Sequence, residues 1–298
     1  MTRRELLAMA AAAPLAGAAP QMIDAHIHLF DPARFPYHPS ATYKPPAEPL
    51  EPYLAFARAA GISHAILVHP EPYQDDHSYL WHCLEKESPK GFFKGTLLLD
   101  STDPKTPARM REMVKAHPGR IATVRIHAMN APGEPPLRSG PLKNRDLRDP
   151  QIGKVFTAAA DLGIAVQFHF LPHHAPEIDA LCAKYPKTKV VLDHMGRLGM
   201  GTPEDQPRVM ALGKYPLVYF KYSGWSYFTK PKITVEQILP QAVKAFGTDR
   251  IIWGGLGMNA ADHEKAKALF AKHWSFLPAA EQAKIRAGNA ARLFQFES

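Results

Sequence analysis

Eight short apolar runs recur along this chain, each parted from the next by a stretch of other periodicity, and that alternation narrows the possible folds to a few. The runs fall at 22–28, 65–69, 92–99, 121–127, 164–170, 190–193, 217–222 and 251–254. Helical patterns occupy 52–60, 104–116, 152–162, 175–185 and 235–246. Strands that read as continuous Val, Ile and Leu, without polar alternation, are buried on both faces. Eight of them with intervening helices predict an α/β fold, a closed (β/α)8 TIM-type barrel in a single domain. A doubly wound sheet would instead carry a glycine-rich phosphate turn after its first strand; here that turn reads Leu29-Phe30-Asp31-Pro32. The segment 281–296 reads as a last helix that seals the barrel.

At 298 residues, 46% of them hydrophobic, the chain can bury one large core. Its first residues are of another kind. Arg3-Arg4 precedes an Ala-rich apolar run ending in Ala16-Gly17-Ala18, the pattern of a twin-arginine export signal with a small-residue cleavage site. Residues 1–19 are expected to be removed, leaving 20–298 as the barrel, exported to the periplasm. The run is too short to span a bilayer, so no stable membrane insertion is expected. The formal net charge is +8, and loss of Arg3, Arg4 and Glu5 leaves +7, an excess that favours a small anionic substrate. Basic residues are scattered, with no Lys/Arg run interleaved with aromatics, which argues against nucleic acid. Cys83 and Cys182 read as buried free thiols, since two cysteines make neither a disulfide framework nor a metal cluster. The oligomeric state has no signature in the sequence.

The histidines matter because of where they fall. Residues two apart on a strand share a face, so Asp24, His26 and His28 are expected to point into the barrel. His69, His127, His169 and His194 each close a different run. Six imidazoles converging on the carboxyl rim, where barrel active sites lie, define a candidate site. Neutral imidazoles there could polarise a carbonyl, move protons or bind a divalent metal, and His26, His28 and His169 would give zinc three nitrogens. Arg125 shares a face with His127, Gln167 with His169, and Lys221 with Ser223. Arginine in a barrel mouth suits bidentate recognition of a carboxylate, or pairs with an interior acid such as Asp100. The catalytic candidates are therefore His26, His28, His169 and His194; the substrate-binding candidates are Arg125, His127, Gln167, Lys221 and His69. Two long proline-rich loops, 31–49 and 130–142, leave the carboxyl ends of strands and are candidate lids.

Five motifs together carry a resemblance that spans nearly the whole mature chain. They are Asp24-Ala25-His26-Ile27-His28, Gln167-Phe168-His169, Val191-Leu192-Asp193-His194-Met195-Gly196-Arg197, Phe220-Lys221-Tyr222-Ser223-Gly224 and Gly288-Asn289-Ala290-Ala291-Arg292-Leu293-Phe294. The chain resembles the amidohydrolase-related family, within it the branch of 2-pyrone-4,6-dicarboxylate lactonase and the sugar-acid lactonases. The resemblance implies a distorted (β/α)8 barrel that hydrolyses lactones, often without a metal. It also implies that His26, His28 and His194 polarise the lactone carbonyl while a strand-eight aspartate activates water. A metal-using branch of hydrolases and decarboxylases would hold zinc through His26, His28, His169 and that same aspartate.

At one position the chain departs from both branches. The family's Trp-Gly-Ser-Asp segment appears as Trp253-Gly254-Gly255-Leu256, and leucine neither accepts a proton nor binds metal. Asp262 reads as a first-turn residue of a helix capped by Asn259. Glu71, Asp75, Asp76, Asp100 and Asp103 read as loop-surface acids. A histidine, His169 or His194, is the expected substitute base. The expectation is a metal-independent hydrolase of a small anionic lactone, with no cofactor. The alternatives are a metal-dependent hydrolase or decarboxylase using a divalent ion such as zinc, a weakened binding barrel, and a structural envelope protein.

Overall fold

The computed structural model describes residues 22–229, 233–255 and 260–296. The expected signal at 1–19, Leu256 and Asn259 lie outside the described residues. Within them run eight parallel strands, β1 (Met22–Ile27), β2 (Ile62–Val68), β3 (Phe93–Leu98), β4 (Ile121–Ala128), β5 (Ala165–Phe170), β6 (Lys189–Leu192), β7 (Val218–Tyr222) and β8 (Ile251–Trp253), paired in sequence order. Helices α1 (Leu50–Ala60), α2 (Ser78–Lys86), α3 (Thr106–Ala116), α4 (Pro150–Leu162), α5 (Ala175–Lys184), α6 (Asp205–Ala211), α7 (Val235–Phe246) and α8 (Ala260–His273) alternate with them. The result is a nearly closed (β/α)8 TIM-type barrel. At its seam the Gly255 N–H donates to Asp24 Oδ1 at 2.9 Å, tying β8 to β1. Gly254 makes that approach possible, since a Cβ there would lie 2.8 Å from the Cβ of His26.

Local signals set the helix ends. Asp149 accepts from the Gln151 N–H, Pro150 opens α4, and Gly163 ends it with φ 71°. Thr234 and Gln237 form a reciprocal capping box at α7. The sealing helix expected at 281–296 is present from Ala279 to Phe294, with one break in its α-helical hydrogen-bond pattern, a wider turn at Lys284–Gly288 between Ala279–Ala283 and Asn289–Phe294. The break places Asn289 so that its Nδ2 donates to the carbonyls of Thr248 and Ile251, both at 2.7 Å, just before and at the start of β8.

Two apolar layers hold the barrel. The larger lies between strands and helices, with Val124, Val166, Phe168 and Phe220 facing Phe156, Ile178 and Phe246. The smaller fills the barrel interior, where Ile23, Ala25, Ile66, Val68, Val191 and Ile252 pack against Leu293 and Phe294. β1 departs from simple alternation. Its register on β2 slips between Asp24 and Ile27, one extra residue on the β1 side, so the face exchanges along the strand. His26 and His28 then point toward the carboxyl rim, while Asp24, expected on their face, is drawn to the seam with Gly255 instead.

Candidate active site

Asp193, one residue past β6 and fully buried, organises the floor of the site. Its Oδ2 accepts from Arg125 Nε at 3.0 Å and Gln167 Nε2 at 3.0 Å, and its Oδ1 lies 2.9 Å from Lys221 Nζ. These partners come from β4, β5 and β7, and the Arg125–Gln167 register across β4 and β5 aligns two of them. Two cations face one carboxylate, so the floor is positive. The cations hold the Asp193 carboxyl well below the usual range against the opposing effect of burial, while burial draws Lys221 below the usual lysine value.

Above this floor the imidazoles form an ordered chain. His28 Nδ1 meets the Val68 carbonyl at 2.7 Å and therefore carries its proton there. His28 Nε2 then accepts from His26 Nε2, 3.2 Å away, and His26 Nδ1 faces Lys221 Nζ at 3.4 Å. His194 Nδ1 pairs with Ser223 Oγ at 2.9 Å; with the hydroxyl donating, the Nε2–H is left for the cavity. His169 Nε2 accepts from the Arg197 guanidinium, whose other face lies over the Tyr227 ring at 4.0 Å.

His194 and Arg197 reach these places through an unusual backbone. Residues His194, Met195, Gly196 and Arg197 all have φ between 50° and 60°, a single left-handed turn. Left-handed backbone costs roughly 1–2 kcal/mol per non-glycine residue, so the turn persists only because its surroundings impose it. Gly196 is needed for space as well, because a Cβ there would lie 2.7 Å from Val209 Cγ1.

A cavity of about 670 Å³ opens on this rim. His28, His127, His169 and His194 line it together with Arg125, Arg197 and Lys143, and Glu71 is the one carboxylate among its described lining residues. Tyr43, Tyr227, Met129, Leu171 and Met200 add apolar surface. Thr42 and Tyr43 come from the first proline-rich loop, and Met129 and Lys143 flank the second, so both loops border the cavity. His26, Gln167 and Lys221 lie beneath it, engaged with one another and Asp193. His69 lies to one side, donating to the Gln74 carbonyl at 3.0 Å and stacked on His77.

The acids read as loop-surface residues divide. Asp75 pairs with Arg109, Asp76 caps the start of α2 at Ser78, and Asp103 accepts from the Lys105 N–H. Asp100 holds Arg145 through two contacts of 2.9 Å, so Arg125 takes Asp193 as its partner instead. Glu71 differs: a 3-10 turn at Glu71–Tyr73 buries it against the cavity. Sequence reasoning also left Arg197, Tyr43, Lys143 and Tyr227 unassigned. Arg197 stood within a quoted motif three residues after His194, the only available signal.

Burial holds the rim imidazoles neutral. It pushes His28 down to about 3, and His26, His69, His127, His169 and His194 well below the usual value. Nearby Arg125 adds to this at His28, His127 and His169. Such groups bind protons more readily unfolded than folded, so their contribution to stability is complete at neutral pH and is lost as pH falls below about 6.5. Asp24 opposes this: burial raises it to about 7, so its contribution is full below 3.8 and lost as pH rises through 7. Six imidazoles outweigh one carboxyl, and the melting temperature is expected to fall steadily between pH 6.5 and 5. A calorimetric series checks this, and a melting temperature that rises over that interval would contradict it.

Two groups of side chains could be asked to hold a metal. His26, Asp193 and His194 bring one ligand atom each within 4.8 Å of one another, and in the set expected from the sequence, His26, His28 and His169, the Nε2 atoms of His26 and His28 stand 3.2 Å apart. Cations already serve both groups. The Lys221 ammonium sits 2.9 Å from Asp193 and 3.4 Å from His26, and the Arg197 guanidinium takes the lone pair of His169. A divalent ion bound by either set would meet like charge at close range.

An eight-stranded parallel barrel with a histidine-rich, cationic carboxyl rim defines a class of barrel enzymes. The chain belongs to the amidohydrolase family, whose model matches residues 23–296. It is 26% identical over 254 residues to a 4-sulfomuconolactone hydrolase of Rhizobium radiobacter, covering 82% of this chain and 78% of that one. It is 27% identical over 246 residues to an L-fucono-1,5-lactonase of Burkholderia ambifaria, covering 78% of each. Its fold is similar to that of a probable 2-pyrone-4,6-dicarboxylic acid hydrolase of Acinetobacter baumannii solved with citric acid bound. There the TM-score is 0.72 at 21% identity, over 92% of this chain and 99% of the other.

Proposed function

We propose that this protein hydrolyses a small anionic lactone at the rim cavity without a metal ion. One observation carries the reading: neutral imidazoles and three cations line a cavity that holds a single carboxylate among its described residues. Two relatives act on lactones, one of them sulfonated, which accords with that balance of charge. Arg197 and Lys143 would hold the substrate's anionic group, and Tyr43 and Tyr227 would flank its ring.

His194 supplies the electrophile. With Ser223 donating to Nδ1, a neutral Nε2–H faces the cavity and hydrogen-bonds the carbonyl oxygen, strengthening as negative charge develops there. A neutral imidazole suits this role because it keeps its proton. His26 and His28, locked into one tautomer by Lys221 and Val68, fix the wall beside it. Water attacks the carbonyl carbon, the ring C–O bond breaks, and the product is the open hydroxy acid.

The test is a set of initial rates on L-fucono-1,5-lactone, 4-sulfomuconolactone and 2-pyrone-4,6-dicarboxylate, followed by acid release, with protein exhaustively treated with chelator. Turnover that survives chelation is expected. Turnover that appears only on adding zinc or manganese would replace this reading with the metal-dependent one, and inertness throughout would leave a binding barrel.

A further inference from the structure

The attacking water needs a proton acceptor, and the rim histidines are poorly placed to be one. His28 donates through Nδ1 to Val68 and its Nε2 lone pair is taken by His26. His169 Nε2 is taken by Arg197. His194, in the role above, already carries its cavity-side proton. Acids elsewhere are also committed: Asp193 to Arg125 and Lys221, Asp100 to Arg145, Asp24 to the backbone of His26 and Gly255 at the seam. The sequence that follows β8 reads Gly254-Gly255-Leu256, without a carboxylate.

Glu71 remains. It follows β2 and lines the same cavity as His194. Gln74 Nε2 donates to its Oε1 at 2.7 Å, and the Thr42 N–H lies 3.3 Å from both oxygens. These contacts fix the carboxylate from the side of the loops and occupy only part of its accepting capacity, which for two oxygens is about four lone-pair sites. We infer that Glu71 is the general base of this site, taking the place of a carboxylate on β8; the inference rests on the lactone reading above. Desolvation raises the Glu71 carboxyl above the usual glutamate value, while Thr42, Gln74 and Lys143 draw it down. The direction favours a base working near neutral pH. Tyr43 faces it from the first loop, and Arg125 and Arg197 share the cavity.

The step balances. Glu71 takes one proton from water as the water oxygen bonds to the lactone carbonyl carbon, giving a tetrahedral oxyanion held by His194. Collapse re-forms the C=O and breaks the ring C–O bond, and the ring oxygen takes the proton back from Glu71 as it leaves. The new carboxylic acid then ionises, releasing one proton to solvent.

The experiment measures kcat and KM from pH 4 to 9 on L-fucono-1,5-lactone and 4-sulfomuconolactone for the parent, Glu71→Gln and Glu71→Asp. Glutamine keeps an oxygen for the Thr42 N–H, so folding is checked by thermal melting and circular dichroism. The expected result is a kcat lower by about 10²–10⁴-fold in Glu71→Gln with KM changed little, loss of the acid limb of the pH profile, and partial recovery in Glu71→Asp. A Glu71→Gln kcat within a few-fold of the parent, with its acid limb intact, would overturn the assignment while leaving the lactone reading standing, and Glu71 would only pin the two loops. A parent inert on these two lactones and on 2-pyrone-4,6-dicarboxylate would overturn both. Should Glu71→Gln not fold, the acid limb decides: displaced in Glu71→Asp it supports the role, unmoved it refutes it.

Discussion

Asp193→Ala is expected to destabilise the fold by about 3–5 kcal/mol, because it strands two buried cations that have no other carboxylate in contact among the described residues. Arg125 and Lys221 are almost wholly inaccessible, 3% and 0% exposed, so water cannot take over the lost charge. Partial relief is expected in the double variant Asp193→Ala/Lys221→Met, where one stranded cation is replaced by an apolar side chain of similar length. Denaturant unfolding of the parent and both variants measures the effect. A loss below about 1 kcal/mol in Asp193→Ala would mean that the network does not hold the floor together, and a double variant weaker than the single one would count against the charge argument.

His194→Ala is expected to lower kcat by about 10²–10³-fold, the usual effect of removing one donor to a developing oxyanion. Ser223→Ala should cost less, since the hydroxyl only selects the tautomer of His194 and touches no substrate in this account. Steady-state kinetics on one lactone ranks the two. Equal losses would make Ser223 part of the chemistry, and a His194→Ala enzyme as fast as the parent would remove His194 from it.

The architecture was open to reading because each strand is an apolar run bounded by turn residues, and every one of the eight lies within a few residues of its observed span. The gathering of His28, His127, His169 and His194 at one cavity followed from their positions at strand ends. The failures have specific causes. The β1 register slip sends Asp24 to the seam, and a bulge leaves no mark in a five-residue motif. The left-handed turn at His194–Arg197 contains only one glycine, and its other residues do not favour that conformation, so the placing of Arg197 depends on tertiary packing. Glu71 sits beside Pro70 and Pro72 and looked like a surface acid, until the 3-10 turn buried it against loops distant in sequence. The sealing helix was read as uniform because a π turn such as that at Lys284–Gly288 has no sequence signature of its own.

The central claim is that the rim cavity receives the substrate's anionic group through Arg197 and Lys143 while the reacting carbonyl meets His194. A crystal structure with the ring-opened acid of the best anionic lactone tests it most directly. The account predicts the new carboxylate within hydrogen-bond distance of His194 Nε2, with the substrate's own anionic group on Arg197. A product bound elsewhere, or in the cavity with its new carboxylate turned away from His194, would contradict it.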